Sequence, residues 1–369
     1  MSERAAAGTG VAEERAGERV RPGPAAKAEA PRPAHAAVDS RGTNGQRARA
    51  WLASIVSWVA CHAPEGAAIR LAELAGSVWY RVADERRRRA RRNLARVVRY
   101  LADAGLGGEV AGNAARDPKA LDRLVQSAFR HAVRYYLEVA RTPGVTPRFV
   151  RERLLIETPE ALDAAFSTIG PMIFVGLHFG AIELPGIYFV TRTGSTATVP
   201  METIPDPELQ RYFVRTRGKV GLRIVGLREA RNELMAALRR GEPVGLVGDR
   251  DITGGGMEVP LFGAPSRLPI GPALLAMESG APLYVVAVRR SGPGRYRGRL
   301  TPVEIPTEGN RRERLTATLE RLARAFEHVV ADAPDQWWAV FFPIWDDLEP
   351  ASTTASDGAT GNDSRAAAA

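Results

Sequence analysis

The stretch PMIFVGLHFGAIELPG, residues 171–186, runs an apolar segment into His178 and sets Glu183 five positions further on. An imidazole and a carboxylate are what general-base chemistry needs. A carboxylate against one ring nitrogen fixes the tautomer and makes the other nitrogen the better base. The spacing imposes a condition, because residues five apart on one helix diverge by about 140° and share no face. If His178 closes a strand and Glu183 opens the next helix, a turn at Phe179–Gly180 can fold them together, with Gly180 giving backbone freedom and Gly176 a close approach. Such a site lies at the carboxyl end of a strand, where α/β sheets bind ligands. The ordinary alternative is a strand–helix junction that happens to hold one of the chain's five histidines. No HExxH-type pair accompanies it, so metal ligation is not expected.

Two other segments carry chemistry-bearing residues. In VGLVGDRDITGGGMEVPLFG, residues 244–263, Asp249, Arg250 and Asp251 end an apolar run and three glycines follow. Asp-x-Asp after a strand can hold a divalent ion on a nucleotide diphosphate, and glycine-rich loops can cradle phosphate. The alternative is a flexible surface loop whose acids pair with nearby arginines. In ETIPDPELQRYFVRTRGKVGLRIVG, residues 202–226, Arg211, Arg215, Arg217 and Lys219 crowd one helix and its end. Arginines there can grip phosphate in bidentate fashion, or simply face water.

The elements that must position these residues are α/β in type. Residues 1–47 and 349–369, rich in small and polar types, cannot offset the entropy of ordering and are expected to be disordered tails. The folded part is then 48–348, a single domain with a helical N-terminal part over 48–150 and an α/β core over 151–348. In ALDRLVQSAFRHAVRYYLEVARTPG, the positions Leu121, Leu124, Val125, Ala128, Phe129, Ala132, Tyr136 and Leu137 fall on one helical face ending near Pro143. Strand-like runs follow at MIFVGL, PVGLVG and PLYVVAV, alternating with helical patterns. YRGRLTPVEI and WWAVFF are expected to add strands. Near-continuous apolar strands imply a central mixed sheet flanked by helices on both faces, behind an α-helical N-terminal section.

Composition narrows the class. The single cysteine, Cys61, excludes an intrachain disulfide. A net charge of +9 favours anionic partners such as membrane phosphates. Nucleic acid is disfavoured, because no helix-turn-helix, zinc or RNP-type signature appears. WLASIVSWVACHAP, from Trp51, stops after about three turns and is too short to span a bilayer. With Trp51, Trp58, Trp79 and Tyr80 followed by the run DERRRRARRNLARVVRY, the segment reads either as an interfacial anchor for anionic lipid or as core helices with solvated arginines.

In their order, HFGAIE, FVRTRGKVGLRIV and GLVGDRDITGGGMEVPLFGAPSRLPIGPALLAMESGAPLYVVAV resemble the bacterial lipid A biosynthesis acyltransferase family, and within it the phosphatidylinositol mannoside acyltransferases. The likeness extends through AFRHAVRYYLEVARTP and PDQWWAVFFPIW, covering roughly 50–346. It implies a glycerolipid acyltransferase-like fold and an enzyme that moves a fatty acyl chain from acyl-CoA or acyl carrier protein to a hydroxyl of a glycolipid. His178 and Glu183 match the family's His-x4-acid pair, with Glu where many relatives carry Asp. Arg217 matches the arginine that steadies phosphate or the relay, and Asp249, Arg250 and Asp251 match a block lining the same cleft. Arg215 belongs to the basic helix and is counted with them as substrate-binding. No cofactor is expected beside the acyl donor, and with no spanning run and no secretory apolar region the protein is expected as a monomer placed peripherally on the cytoplasmic face of the membrane. A metal-dependent glycosyltransferase using Asp249 and Asp251, or a lipid A-type enzyme using acyl carrier protein, are the alternatives.

Overall fold

The computed structural model describes residues 42–167 and 170–349, so most of both expected tails lies outside the described residues. Residues 42–47 do not: the first helix, α1, spans Asn44–His62 and opens on a capping box in which Thr43 and Gln46 satisfy each other's backbone N–H. Helices α2 (Glu65–Val82), α3 (Asp84–Asp103), α4 (Gly108–Arg116), α5 (Pro118–Arg141) and α6 (Pro147–Arg153) follow. Asp117 caps α5 and Pro118 stands at its first position, where a missing N–H costs nothing. Leu121, Leu124, Val125, Ala128, Phe129 and Ala132 are buried, but Tyr136 is exposed, while Arg134 beside it is buried instead.

From β1 (Leu154–Ile156) the chain alternates: α7 (Pro159–Phe166), β2 (Ile173–Gly176), α8 (Leu184–Thr193), β3 (Ala197–Met201), α9 (Pro207–Lys219), β4 (Leu222–Gly226), α10 (Ala230–Arg239) and β5 (Val244–Val247). A hairpin of β6 (Met257–Leu261) and β7 (Ala264–Leu268) leads to α11 (Gly271–Ser279). β8 (Leu283–Gly292), β9 (Arg295–Val303) and α12 (Arg311–Ala331) complete the core. Among the described residues the main sheet has seven strands in the order β1-β9-β8-β2-β5-β3-β4. Its pairs are parallel except β8 with β9, so the sheet is mixed.

Helices cover both faces, and β2 shows why its sequence carries no polar alternation. Ile173 and Val175 pack into the cluster built with α3, α5, α11 and α12, while Phe174 packs with Leu162 of α7 and Phe189 of α8 on the other side. Side chains alternate across a strand, so a strand covered on both faces must be apolar throughout. The hairpin turns at Phe262 and Gly263, both with positive φ, and the Phe262 N–H donates to the buried Glu327 carboxylate at 2.6 Å.

WWAVFF differs from expectation. Its residues 338–341 form a 3-10 turn, and only an isolated bridge joins Phe179 to Trp337. Trp337, Ala339, Val340 and Phe341 are all buried, and the Asn93 amide bonds the Val340 and Phe342 carbonyls in place of a strand neighbour. Single-sequence reading also passed over β3 and β4, short strands of five residues each, the second of them hidden at the end of a basic helix.

Candidate active site

The register between β2 and β5 creates the site. Gly176 pairs with Val247 in parallel, and the chain continues two residues beyond each to His178 and Asp249. Two side chains at matched offsets past neighbouring parallel strands emerge side by side. His178 Nδ1 lies 2.7 Å from Asp249 Oδ1, and the His178 backbone N–H donates to Oδ2 at 3.0 Å. Trp337 Nε1 donates to the same Oδ2 at 2.7 Å. Burial acts to raise the Asp249 carboxyl, but the interaction with His178 and the hydrogen bonds Asp249 accepts from His178 and Trp337 outweigh burial and hold it below the ordinary carboxylate range. With a carboxylate on Nδ1, the neutral imidazole carries its proton there and leaves Nε2 with a free lone pair.

The partner that the HFGAIE spacing pointed to is placed differently. Glu183 occupies the cap position of α8, and its carboxylate is gripped by Arg217 of α9, with Nη2–Oε1 at 2.6 Å and Nε–Oε1 at 3.0 Å. Burial would lower the Arg217 guanidinium, and Glu183 more than reverses this, holding it fully charged. Arg217 also contacts Met201 Sδ at 2.7 Å and lies over the Phe213 ring. The expected turn is present: Gly180 has φ 53°, and a Cβ there would collide with the Val288 carbonyl. Gly176 answers to no such constraint, since an added Cβ would find only ordinary contacts.

His178, Glu183 and Arg217 line one cavity of about 410 Å³, together with Glu202, Trp338 and Tyr135. The cavity extends into the apolar cluster between the sheet and helices α7 and α8, where Leu162, Phe166, Phe174 and Phe189 form its wall. Trp338 meets the His178 ring edge-on at 4.5 Å and stacks on Tyr135 at 4.9 Å. Burial and then Glu183 push the Tyr135 phenol above its usual range.

The remaining candidates are dispersed. Arg250 is partly buried with its guanidinium 3.7 Å above the Phe342 ring, and burial lowers its affinity for the proton. Asp251 turns back on its own loop, accepting the N–H groups of Gly254 at 3.0 Å and Gly256 at 2.6 Å. Asp249, fully buried under three donors, and Asp251, so occupied, leave no open carboxylate pair for a divalent ion. Arg215 stands on the exposed face of α9 and does not line the cavity. Sequence reasoning missed Trp337 as an Asp249 partner, and Glu202 and Met201 as wall residues. The matching offsets of HFG and DRD past two apolar strands were the one available signal for the His178–Asp249 pair.

Residues 43–342 match the family model described as bacterial lipid A biosynthesis acyltransferase. The chain is 31% identical to phosphatidylinositol mannoside acyltransferase of Mycobacterium tuberculosis over 250 residues, 65% of this chain and 77% of that protein. It is 29% identical to the protein of the same name from Mycolicibacterium smegmatis over 220 residues, 58% of this chain and 70% of the other.

Proposed function

Because the chain belongs to the bacterial lipid A biosynthesis acyltransferase family and is an acyltransferase, we propose that it moves a fatty acyl chain from acyl-CoA, or from acyl carrier protein, to a hydroxyl of a glycolipid such as a phosphatidylinositol mannoside. The observation that carries this reading is the imidazole bonded through Nδ1 to a sealed carboxylate, at the wall of an apolar cavity. In the reaction, His178 Nε2 takes the proton as the acceptor oxygen attacks the thioester carbonyl carbon. The tetrahedral centre collapses by breaking the C–S bond, and the departing sulfur receives that proton from Nε2. The products are an ester and a thiol, and His178 is restored. Asp249 keeps the ring in the Nδ1–H tautomer and balances the transient imidazolium, and general-base catalysis so supported is worth roughly 10²–10⁴-fold in rate.

Glu183, anchored by Arg217, orients the acceptor hydroxyl. A guanidinium already committed to a carboxylate has fewer donors for phosphate, so Arg250, with no ion-pair partner among the described residues, is the better phosphate contact of donor or acceptor, with the exposed Arg215 as a further cation. The apolar wall suits the acyl chain.

The acceptor resides in a membrane, and α1 and α2 suit a peripheral position on its cytoplasmic face. Among the described residues no helix is long and apolar enough to cross a membrane. Both helices are inverted in their amphipathicity. They bury mostly small residues, Ala50, Ser57, Ala60, Ala72 and Gly76, with Ile69 the exception, and turn many large apolar ones outward, including Trp51 at 67% and Trp58 at 63% exposure. The arginines of α3 are less free: Arg89 pairs with Glu349, Arg91 with Asp122, and Arg96 with Asp347.

The test is acyl transfer by purified protein from a long-chain acyl-CoA to a mannosylated phosphatidylinositol in vesicles, read by mass spectrometry. His178→Ala should remove turnover in a chain that still folds, with a lowered melting temperature because the buried Asp249 carboxylate loses its partner. Transfer should also survive a divalent-ion chelator, and its loss there would turn the assignment toward the metal-dependent alternative.

A further inference from the structure

A buried arginine with no place in the proton path is bonded to the turn that carries the base. Arg290 of β8 has a side chain only 1% exposed. Its Nε and Nη2 donate to the two oxygens of Glu138 on α5, each at 2.7 Å, and Nη2 also donates to the Gly180 carbonyl at 2.9 Å. The Arg290 backbone is bonded in both directions to the Gln336 side chain, at 2.8 and 2.9 Å. Gln336 in turn accepts the Gly180 N–H through its own carbonyl at 3.0 Å. Both backbone groups of Gly180, the left-handed residue two positions after His178, are therefore held by this one buried unit. Ala181 N–H to the Val288 carbonyl at 2.8 Å and Trp338 N–H to the His178 carbonyl at 2.9 Å complete the clamp on the turn.

The unit is closed on its other sides. Tyr296 Oη donates to Glu138 at 3.2 Å. His131, two turns earlier on α5, faces Arg290 at 3.4 Å and Asp335 at 3.5 Å. Burial, then the Arg290 and Arg134 charges, keep His131 neutral by lowering its pKa to about 2. Asp335 accepts from Ser127 at 2.6 Å.

Stability alone does not account for such a pair. Removing both charges of a buried ion pair is often neutral or better for folding, whereas removing one strands the other. What an apolar replacement cannot supply is the donor to the Gly180 carbonyl. From this geometry we infer that Arg290, fixed by Glu138, is a positioning residue for acyl transfer: it sets the Gly180 peptide and through it the direction in which His178 presents Nε2. The inference rests on the acyl-transfer reading given above, and concerns a residue outside the cavity wall.

The test compares wild type with Arg290→Lys and with the double variant Glu138→Gln/Arg290→Met, which removes both charges and keeps an acceptor for Tyr296. The full chain is assayed for kcat and KM, for melting temperature, and for the ring-nitrogen NMR signals of labelled histidine, with His178→Ala assigning the relevant peaks. A misplaced base loses rate without losing substrate. The double variant should therefore melt close to wild type, keep its KM, lose roughly 10- to 100-fold in kcat, and show shifted His178 signals. Arg290→Lys, which retains one donor, should fall between. A folded double variant with wild-type kcat and unshifted signals overturns the inference. If the double variant does not fold, Arg290→Lys decides, and wild-type kcat there overturns the inference equally. Shifted His178 signals together with an inactive wild type would instead leave the positioning role standing and strike at the acyl-transfer reading.

Discussion

Between the two carboxylates within reach of the His178 turn, the bonding pattern divides the labour, and the division can be measured. Asp249 titrates below the ~3.9 of an unfolded aspartate. Its contribution to stability is therefore complete above that pH and is lost as pH falls through the folded value. Asp249→Asn should lower the melting temperature at pH 7, the gap to wild type should close below about pH 4, and kcat should drop roughly 10²–10⁴-fold. Glu183→Gln leaves the His178–Asp249 bond intact and weakens the grip of Arg217, so its effect should fall mainly on KM for the acceptor. A Glu183→Gln enzyme with unchanged KM and kcat as low as that of Asp249→Asn would return Glu183 to the relay. The sequence drew attention to Glu183 because it is near His178 along the chain. Asp249, 71 positions away, becomes a neighbour only when β2 and β5 pair in register, and no single-sequence pattern states which strands adjoin.

At the scale of elements, apolar runs were legible where burial on both faces leaves one possible reading. β2, β5 and β8 and helix α5 stand where the apolar runs and periodicity put them. WWAVFF failed because a run buried on all sides satisfies a strand and a packed 3-10 turn equally well, and the Asn93 bonds that decide the matter come from α3. Helices α1 and α2 were legible only as far as the two readings given for them, interfacial anchor or core helices. Their hydrophobicity was plain, but which face turns inward depends on the small residues: Gly76 packs so tightly against the Phe129–Arg130 backbone that no Cβ fits. Large apolar side chains are left outside. Exposed substitutions rarely shift stability by more than about 0.5 kcal/mol, so Trp51→Glu and Trp58→Glu should fold normally and lose vesicle co-sedimentation. Because that ridge is mainly apolar, with Arg47, Arg70 and Arg81 exposed beside it, raising the salt should weaken wild-type binding only in part. Binding that vanishes at high salt, with both tryptophan variants still bound, would move the contact to the arginines of α3.

For the whole molecule, the mixed seven-stranded sheet and its two helical layers follow from alternation and apolar runs, but the link between the helical section and the core does not. Beside the apolar cluster that α3 and α5 share with the core, that link is fixed by polar side chains: Glu138 to Arg290, Asn93 to the 340–342 backbone, Arg49 of α1 to Asp206 at the head of α9. The outward ridge of α1 and α2 has a consequence for how such an enzyme would be saturated. A protein resting in lipid by Trp51 and Trp58 meets its acceptor as a two-dimensional solute, so turnover would follow the mole fraction of acceptor in the surface. Diluting the acceptor with inert lipid should then slow the reaction at constant total acceptor, while diluting the same fully bound vesicles with buffer should leave the rate per enzyme unchanged.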